Sequence, residues 1–235
     1  MTPTTSMTAL SALMALTAFR IAAYIRSHRI YQALLPIFAL LAISYATRAP
    51  AGQEASALTD SAVLVIPFLA WSARSLLDTE PDTQRILSAT SVGSRSREVL
   101  SGLLAAFAVN LLFAAITLFW GLFLGLTAFP TASVLWAGVA LHVLAALTGT
   151  TLGALTSRAI LPSPAISIMA LVLGFLAMLV LSRTALYWLT VPLTAWMKAA
   201  GTGTLVTQMP WLGALSLAWL LAGLTLYTWL RRTRS

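Results

Sequence analysis

The sequence has no cysteine, one lysine, two histidines and only six acidic residues among its 235. Without cysteine, disulfides, thiolate metal sites and cysteine nucleophiles are excluded. A phosphate-binding loop of the Walker A type needs a Gly-Lys pair followed by Ser or Thr. The one lysine, Lys198, follows Met197 instead. We therefore expect no cofactor on this chain, and any ATP and Mg²⁺ on a separate subunit.

The few remaining histidines and carboxylates are too scattered to predict an active site. Common metal centres gather several His, Cys, Asp or Glu side chains, but His28 and His142 lie in different regions. No acid falls inside the spans predicted below, which argues against a Ser-His-Asp triad and against an ion-coupled pump. A Ser-His pair around His142 remains conceivable, although no nucleophile motif marks its partner.

Apolar residues dominate, with 59% hydrophobic and 9% charged residues and a mean hydropathy of +0.90. Soluble domains carry about 25% charged residues, so the composition indicates a protein that folds in lipid. The net charge of +8 comes from 14 basic and 6 acidic residues. On a soluble protein that excess would suggest nucleic acid. On a membrane protein topology explains it, and we expect no nucleic-acid partner.

Continuous apolar runs predict an all-α polytopic membrane protein. A bilayer core needs about 20 apolar residues for each crossing helix, and six segments meet that need. The predicted spans are 31–47, 61–77, 99–126, 133–157, 164–182 and 210–230.

The basic residues predict the orientation, because cytosolic loops carry the excess of Lys and Arg. With the N-terminus inside, eleven arginines are cytosolic and three basic residues are outside. The inner set is Arg20, Arg26, Arg29, Arg74, Arg85, Arg95, Arg97, Arg158, Arg231, Arg232 and Arg234, and the outer set is Arg48, Arg183 and Lys198. We expect both termini in the cytosol and the chain in a bacterial cytoplasmic membrane.

Two segments are neither spans nor simple loops. Residues 1–30 carry apolar residues with a basic C-terminal half, which is typical of a helix lying in the cytosolic interface. A seventh span is the alternative, which Arg20 disfavours. Residues 183–209 contain Trp188, Pro192 and Trp196, and tryptophans favour the membrane boundary. We expect short helices there, at the outer interface. The remainder, residues 31–235, forms the transmembrane domain.

Polar and small residues inside the spans have two interpretations. Asn110 and His142 could each bond to a neighbouring helix, or they could line a substrate path. The Gly121–Gly125 and Gly149–Gly153 pairs have the G-x-x-x-G spacing that lets helix backbones approach closely. We expect these glycines to serve packing within the bundle.

Residues 78–98, with the sequence DTEPDTQRILSATSVGSRSRE, join the second and third predicted spans. Pro81 suits a first helical turn, and Asp82 or Thr83 could cap it. Ile86 and Leu87 form a small apolar surface, and Gly93 is expected to end the helix. Positive-inside bias alone would explain the arginines. It would not explain a short amphipathic helix preceded by three acids.

These parts resemble the membrane subunit, or permease, of an ABC transporter of the type-two, exporter-like class. The resemblance rests on TAFRIAAYIRSHR before the first span, EPDTQRILSATSVGSRSREVLSG after the second and ALYWLTVPLTAWM before the sixth. It covers the whole chain in architecture. Many members have a proline where the coupling helix turns toward the third span, whereas this chain has Val92 and Gly93 there.

The resemblance implies that a separate ATPase subunit binds the coupling segment. The implied contact residues are Asp82, Gln84, Arg85, Ile86, Leu87 and Arg95. A second permease copy, or a related permease, would complete a path for an amphiphilic, exported cargo among membrane lipids. The alternatives are a membrane-embedded enzyme of the Ser/His type and a channel or accessory subunit that works without an ATPase.

Overall fold

The computed structural model describes residues 3–233, except for the side chains of residues 3–8, Asp82, Ile86 and Ser91. The described chain is helical, with one isolated β-bridge between Ala49 and Leu126. The helices are α1 (Pro3–Arg26), α2 (Ile30–Ser44), α3 (Glu54–Leu77), α4 (Asp82–Ser91), α5 (Arg95–Trp120, extended by a π-helical turn at Gly121–Gly125), α6 (Ala132–Leu155), α7 (Pro164–Leu181), α8 (Leu193–Gly201) and α9 (Leu205–Thr233).

Six of these helices are long and apolar enough to cross a membrane, which confirms the predicted class of protein. The candidate spans differ from the predicted spans in the first member, which lies in α1 and not in α2. The candidate spans are Ala9–Arg26, Glu54–Leu77, Arg95–Gly125, Ala132–Leu155, Pro164–Leu181 and Leu205–Thr233. Helix α2 covers most of the predicted first span but has only 15 residues, a length of about 22 Å.

Short as it is, α2 connects the two ends of the bundle. At its start, the Arg29 guanidinium lies 3.4 Å from the backbone carbonyl of Asp78, just after α3. Just after its end, the Tyr45 hydroxyl donates to the carbonyl of Ala57, near the start of α3, at 3.0 Å. Because α2 and α3 are antiparallel neighbours, α2 runs from one end of α3 almost to the other.

Helices α3 and α6 pack most closely, and glycines make that approach possible. A Cβ atom at Gly149 would overlap Leu69, and one at Gly153 would overlap the backbone of Ala70 and Arg74. This confirms that the Gly149–Gly153 pair serves packing within the bundle. Gly121 and Gly125 act differently, because they accommodate the ring of Tyr45 rather than another helix backbone.

The segment before α9 contains the expected short helices, a 3₁₀ turn at Tyr187–Leu189 and α8. Its two tryptophans differ in burial. Trp188 is half exposed, whereas Trp196 is fully buried in the protein core together with Leu193 and Leu205. Helix α8 packs there against α3 and α9.

The expectation that the spans are free of acids is wrong. Helix α3 begins at Glu54 and therefore includes Asp60, and α5 begins at Arg95 and includes Glu98. Both helices extend beyond the apolar runs from which the spans were predicted, because polar residues at a helix end can bond to protein or water.

The positive-inside rule makes a prediction that can be tested on this cysteine-free chain. Thr90, on α4, and Ala51, between α2 and α3, are both exposed. We expect a cysteine at Thr90 to react with a membrane-impermeant thiol reagent only after the membrane is opened. A cysteine at Ala51 should react on intact cells, and labelling of Thr90→Cys from outside would reverse the proposed orientation.

Candidate functional site

Charged side chains gather at one end of the helical bundle. Helix α3 ends there, α4 lies there, α5 begins there and α9 ends there. Arg231 and Arg232 of α9 bond to Glu98 and Ser96 of α5, and the backbone N–H of Arg158, after α6, bonds to Asp78 at 2.9 Å. We call this the arginine-rich end.

Segment 78–98 contains the predicted short helix, but the expected cap is missing: Pro81 lies just before the helix, and no described side chain, Thr83 included, caps it. Helix α4 begins at Asp82 after Pro81, whose φ of −62° is the one that its ring imposes. The helix is followed by Gly93 at a φ of +74°, a left-handed conformation that glycine adopts without strain. Ser94 then caps α5 by accepting a bond from the N–H of Arg97 at 3.2 Å.

One face of α4 is bonded to the bundle. The Arg85 guanidinium donates to the carbonyl of Leu77 at 2.6 Å, which ties α4 to the last turn of α3. The Ser88 hydroxyl bonds to the carboxylate of Glu80, and Val92 is buried just after the helix. The short helix is therefore held against the protein by polar contacts rather than by a broad apolar face.

The opposite face of α4 points away from the bundle. Thr83 and Thr90 are exposed, and Leu87 has 69% of its surface accessible. Exposed leucines are ordinary where a helix contacts lipid, but Leu87 lies on a helix whose other described side chains are polar or small. It is therefore the one large apolar side chain among the described residues of α4.

Beneath α4 lies a buried cluster of four charges that links helices distant in sequence. The Arg20 guanidinium pairs with Glu80 at 2.5 Å and with Glu98 at 2.6 Å. Glu98 also pairs with Arg231 at 3.0 Å. About nine-tenths of each of these four side chains is buried, between 5% and 12% remaining accessible. We call these residues the charge cluster.

The charge cluster is well hydrogen-bonded, as buried charges must be to offset their desolvation. Arg20 makes further bonds to the Ser101 hydroxyl at 2.9 Å and to the backbone carbonyl of Glu98 at 2.6 Å. Gly102 makes room for it, since a Cβ there would meet the guanidinium at 2.7 Å. The cluster thereby connects α1, the α3–α4 connection, α5 and α9.

A second polar group ties α3 to the start of α7. Arg74 is 9% exposed, and its Nε donates to the Ser167 hydroxyl, while Asp78 lies 3.8 Å from it. Arg74, one of the arginines counted as cytosolic, thus bonds to partners inside the protein. Burial raises the pKa of the Asp78 carboxyl, while the Arg158 N–H and the guanidinium of Arg74, among others, act in the opposite direction.

The acids of segment 78–98 have a role that the sequence analysis missed. Among these acids only Asp82 was assigned a role, as a cap of α4. Asp78, Glu80 and Glu98 bond to residues of the bundle. The only signal in the sequence was Arg20 itself, an arginine within an apolar helix, which indicates that a partner lies somewhere but does not say where.

The predicted contact residues are not on one surface. Leu87 on α4 and Arg95 at the start of α5 are exposed, whereas Gln84 and Arg85 of α4 are half-buried and face the bundle. The side chains of Asp82 and Ile86 lie outside the described residues.

The two polar residues predicted for a substrate path are buried separately in the bundle. The Asn110 amide donates to the Thr150 hydroxyl at 3.0 Å, joining α5 to α6. His142 Nδ1 lies 2.8 Å from the carbonyl of Gly138 in its own helix. Both residues are almost inaccessible, at 0% and 2%. For Asn110 this arrangement supports the packing interpretation, while His142 bonds within its own helix and not to a neighbour.

Comparison with protein-family models, with curated proteins and with solved structures found no match for this chain.

The charge cluster predicts a large and specific effect on stability. Glu98→Gln keeps the size of the side chain but leaves Arg20 and Arg231 with one carboxylate, that of Glu80, for two buried guanidinium groups. Breaking a buried ion pair costs about 3–5 kcal/mol, so we expect a clear fall in the melting temperature in mild detergent. Glu54→Gln is the control, since Glu54 bonds only to a local turn at Gly52. Equal melting of the two variants would contradict a structural role for the cluster.

Proposed function

We propose that this chain is the membrane-embedded subunit of an ATP-driven transporter, with α4 as the docking helix for a separate ATPase subunit. The observation that carries the proposal is the exposed Leu87 on a short helix whose other face is bonded to the bundle. Such a helix presents an apolar side chain to a partner while its own position stays fixed.

The contacts behind α4 support a route by which motion of a partner would reach the spans. Arg85 joins α4 to the end of α3, and Ser88 joins it to Glu80. Glu80 shares Arg20 with Glu98, at the start of α5. A push on α4 would therefore be transmitted to α1, α3 and α5 together, and through Arg231 to α9.

The contacts of α1 support its assignment as an interfacial helix. Arg20 pairs with the charge cluster at the arginine-rich end. Helix α2, by contrast, runs along α3 from Arg29 near Asp78 to Tyr45 near Ala57, almost from one end of α3 to the other. We therefore count α2, α3, α5, α6, α7 and α9 as the six crossings, which would put both termini on the arginine-rich, cytosolic side.

A transporter of this kind would act as a pair of membrane subunits, either two copies or two related chains, and would export an amphiphilic cargo. The wide apolar faces of α7 and α9 are suited to contact with lipid or with a second membrane subunit. Their exposed side chains include Met169, Leu173 and Val180 on α7 and Trp211, Leu221 and Trp229 on α9.

Substitution of Leu87 tests the proposal. Burying one leucine side chain contributes about 1.5–3 kcal/mol, so we expect Leu87→Asp to weaken binding of the ATPase at least about tenfold. The measurement is co-purification, from native membranes in mild detergent, of a subunit that carries a Walker A sequence, together with ATP hydrolysis by the purified complex.

Thr83→Asp is the matched control, because it adds the same charge to the same helix and leaves Leu87 in place. Exposed charges contribute about 0–1 kcal/mol, so this variant should bind almost normally. Leu87 is exposed, and neither variant should change the melting temperature of the isolated chain. An ATPase that binds Leu87→Asp as tightly as Thr83→Asp would exclude α4 as the docking helix. Failure to find any ATPase partner would favour an ATPase-independent channel or an enzyme.

A further inference from the structure

A cleft of about 910 Å³ opens beside α4 at the arginine-rich end. Its walls are α4, the first turn of α5, the α6–α7 connection and the end of α9. Volumes of about 300–1,000 Å³ are typical of sites for small molecules. The charged residues that line it, among the described side chains, are Arg85, Arg95, Arg158, Arg231, Glu80 and Glu98.

The cleft has an excess of positive charge. Four arginines face two glutamates, and both glutamates already share the guanidinium of Arg20 behind them. Arg95 and Arg158 are exposed and make no ion pair with the described side chains, and the charge of Arg158 also acts on the nearby Asp78 carboxyl. Exposed guanidinium groups at the cleft can therefore contact a ligand.

The start of α5 adds to the positive charge of the cleft. Gly93, Ser94 and Arg95 line the cleft at the start of the 26-residue helix α5, whose N-terminus carries a partial positive charge. Together with the four arginines, this favours an anion as the ligand.

We propose that this cleft binds the phosphate of an anionic membrane lipid. It lies where spanning helices end, which is the level of the headgroups, and basic pockets between spanning helices are suited to anionic headgroups. An apolar side chain is exposed near the same end of the bundle, Ile166 after the α6–α7 connection, at 57%.

The proposal goes beyond the proposed transport function and does not depend on it. A lipid bound here would contact Arg85 of α4 and Arg95 of α5 at once. Leu87 is not among the residues that line the cleft. Loss of ATPase binding in Leu87→Asp should therefore leave lipid binding intact, and the two ideas can fail separately.

The test measures lipid binding to the purified full chain in a non-ionic detergent. Phosphatidylglycerol is titrated against phosphatidylcholine, and binding is followed by the rise in melting temperature and by native mass spectrometry. We expect the wild-type chain to bind phosphatidylglycerol selectively. The double variant Arg95→Gln/Arg158→Gln should bind it at least about tenfold more weakly, since hydrogen bonds between charged groups are stronger than those between neutral groups.

The matched control is Arg26→Gln/Arg29→Gln, which removes the same charge from exposed positions at the same end but outside the lining of the cleft. It should bind the lipid like the wild type. Equal weakening of both double variants would overturn the proposal, because it would mean attraction to the overall charge. A third arm uses inorganic phosphate alone. If phosphate raises the melting temperature and displaces no lipid, or if it binds as tightly as the lipid does, the assignment to a lipid is wrong.

Discussion

The charged end of this protein depends on one buried carboxylate that forms ion pairs with two guanidinium groups. Glu98 pairs with Arg20 and with Arg231, which are 78 residues before it and 133 residues after it in the chain. A buried charge without a partner is strongly destabilising. The three helices that carry these residues must therefore meet at one point along the bundle axis. This requirement fixes the positions of α1 and of the end of α9 relative to the start of α5.

The middle of the bundle depends on a different feature, two glycines that let helix backbones approach closely. In lipid, helix association gains little from apolar burial and depends on close van der Waals contact. Gly149 and Gly153 bring α6 against the backbone of α3 between Leu69 and Arg74. Arg74 then follows at the end of this contact and bonds to Ser167 of α7. The close contact and the polar group together make α3 the central helix, and α3 leads directly into the segment that holds α4.

The sequence was sufficient for features that depend on local chemistry. Long apolar runs predicted the spanning helices, the proline before α4 and the glycine after it marked the short helix, and glycine spacing predicted close packing. It was not sufficient for features that depend on a partner remote in the chain. An arginine near a helix end can extend to water or pair inside, and hydropathy is the same in both cases. Arg74, Trp196 and Glu98 illustrate the point, since each is buried by residues from other helices.

An exposed apolar side chain means different things along the membrane spans and at the charged end of the bundle. Along the spans, an exposed leucine faces a solvent as apolar as itself and needs no partner. At the arginine-rich end the surroundings are water and headgroups, and the same exposure is unfavourable by about 1.5–3 kcal/mol relative to burial. Leu87 is the side chain on α4 to which this applies, among those that the structure describes. Polar bonds behind α4 keep it from turning inward, so a partner subunit of the kind proposed would gain free energy by covering Leu87. A contact made there would act on a helix already bonded to α3 and to the charge cluster, so binding and movement of the spans would be coupled.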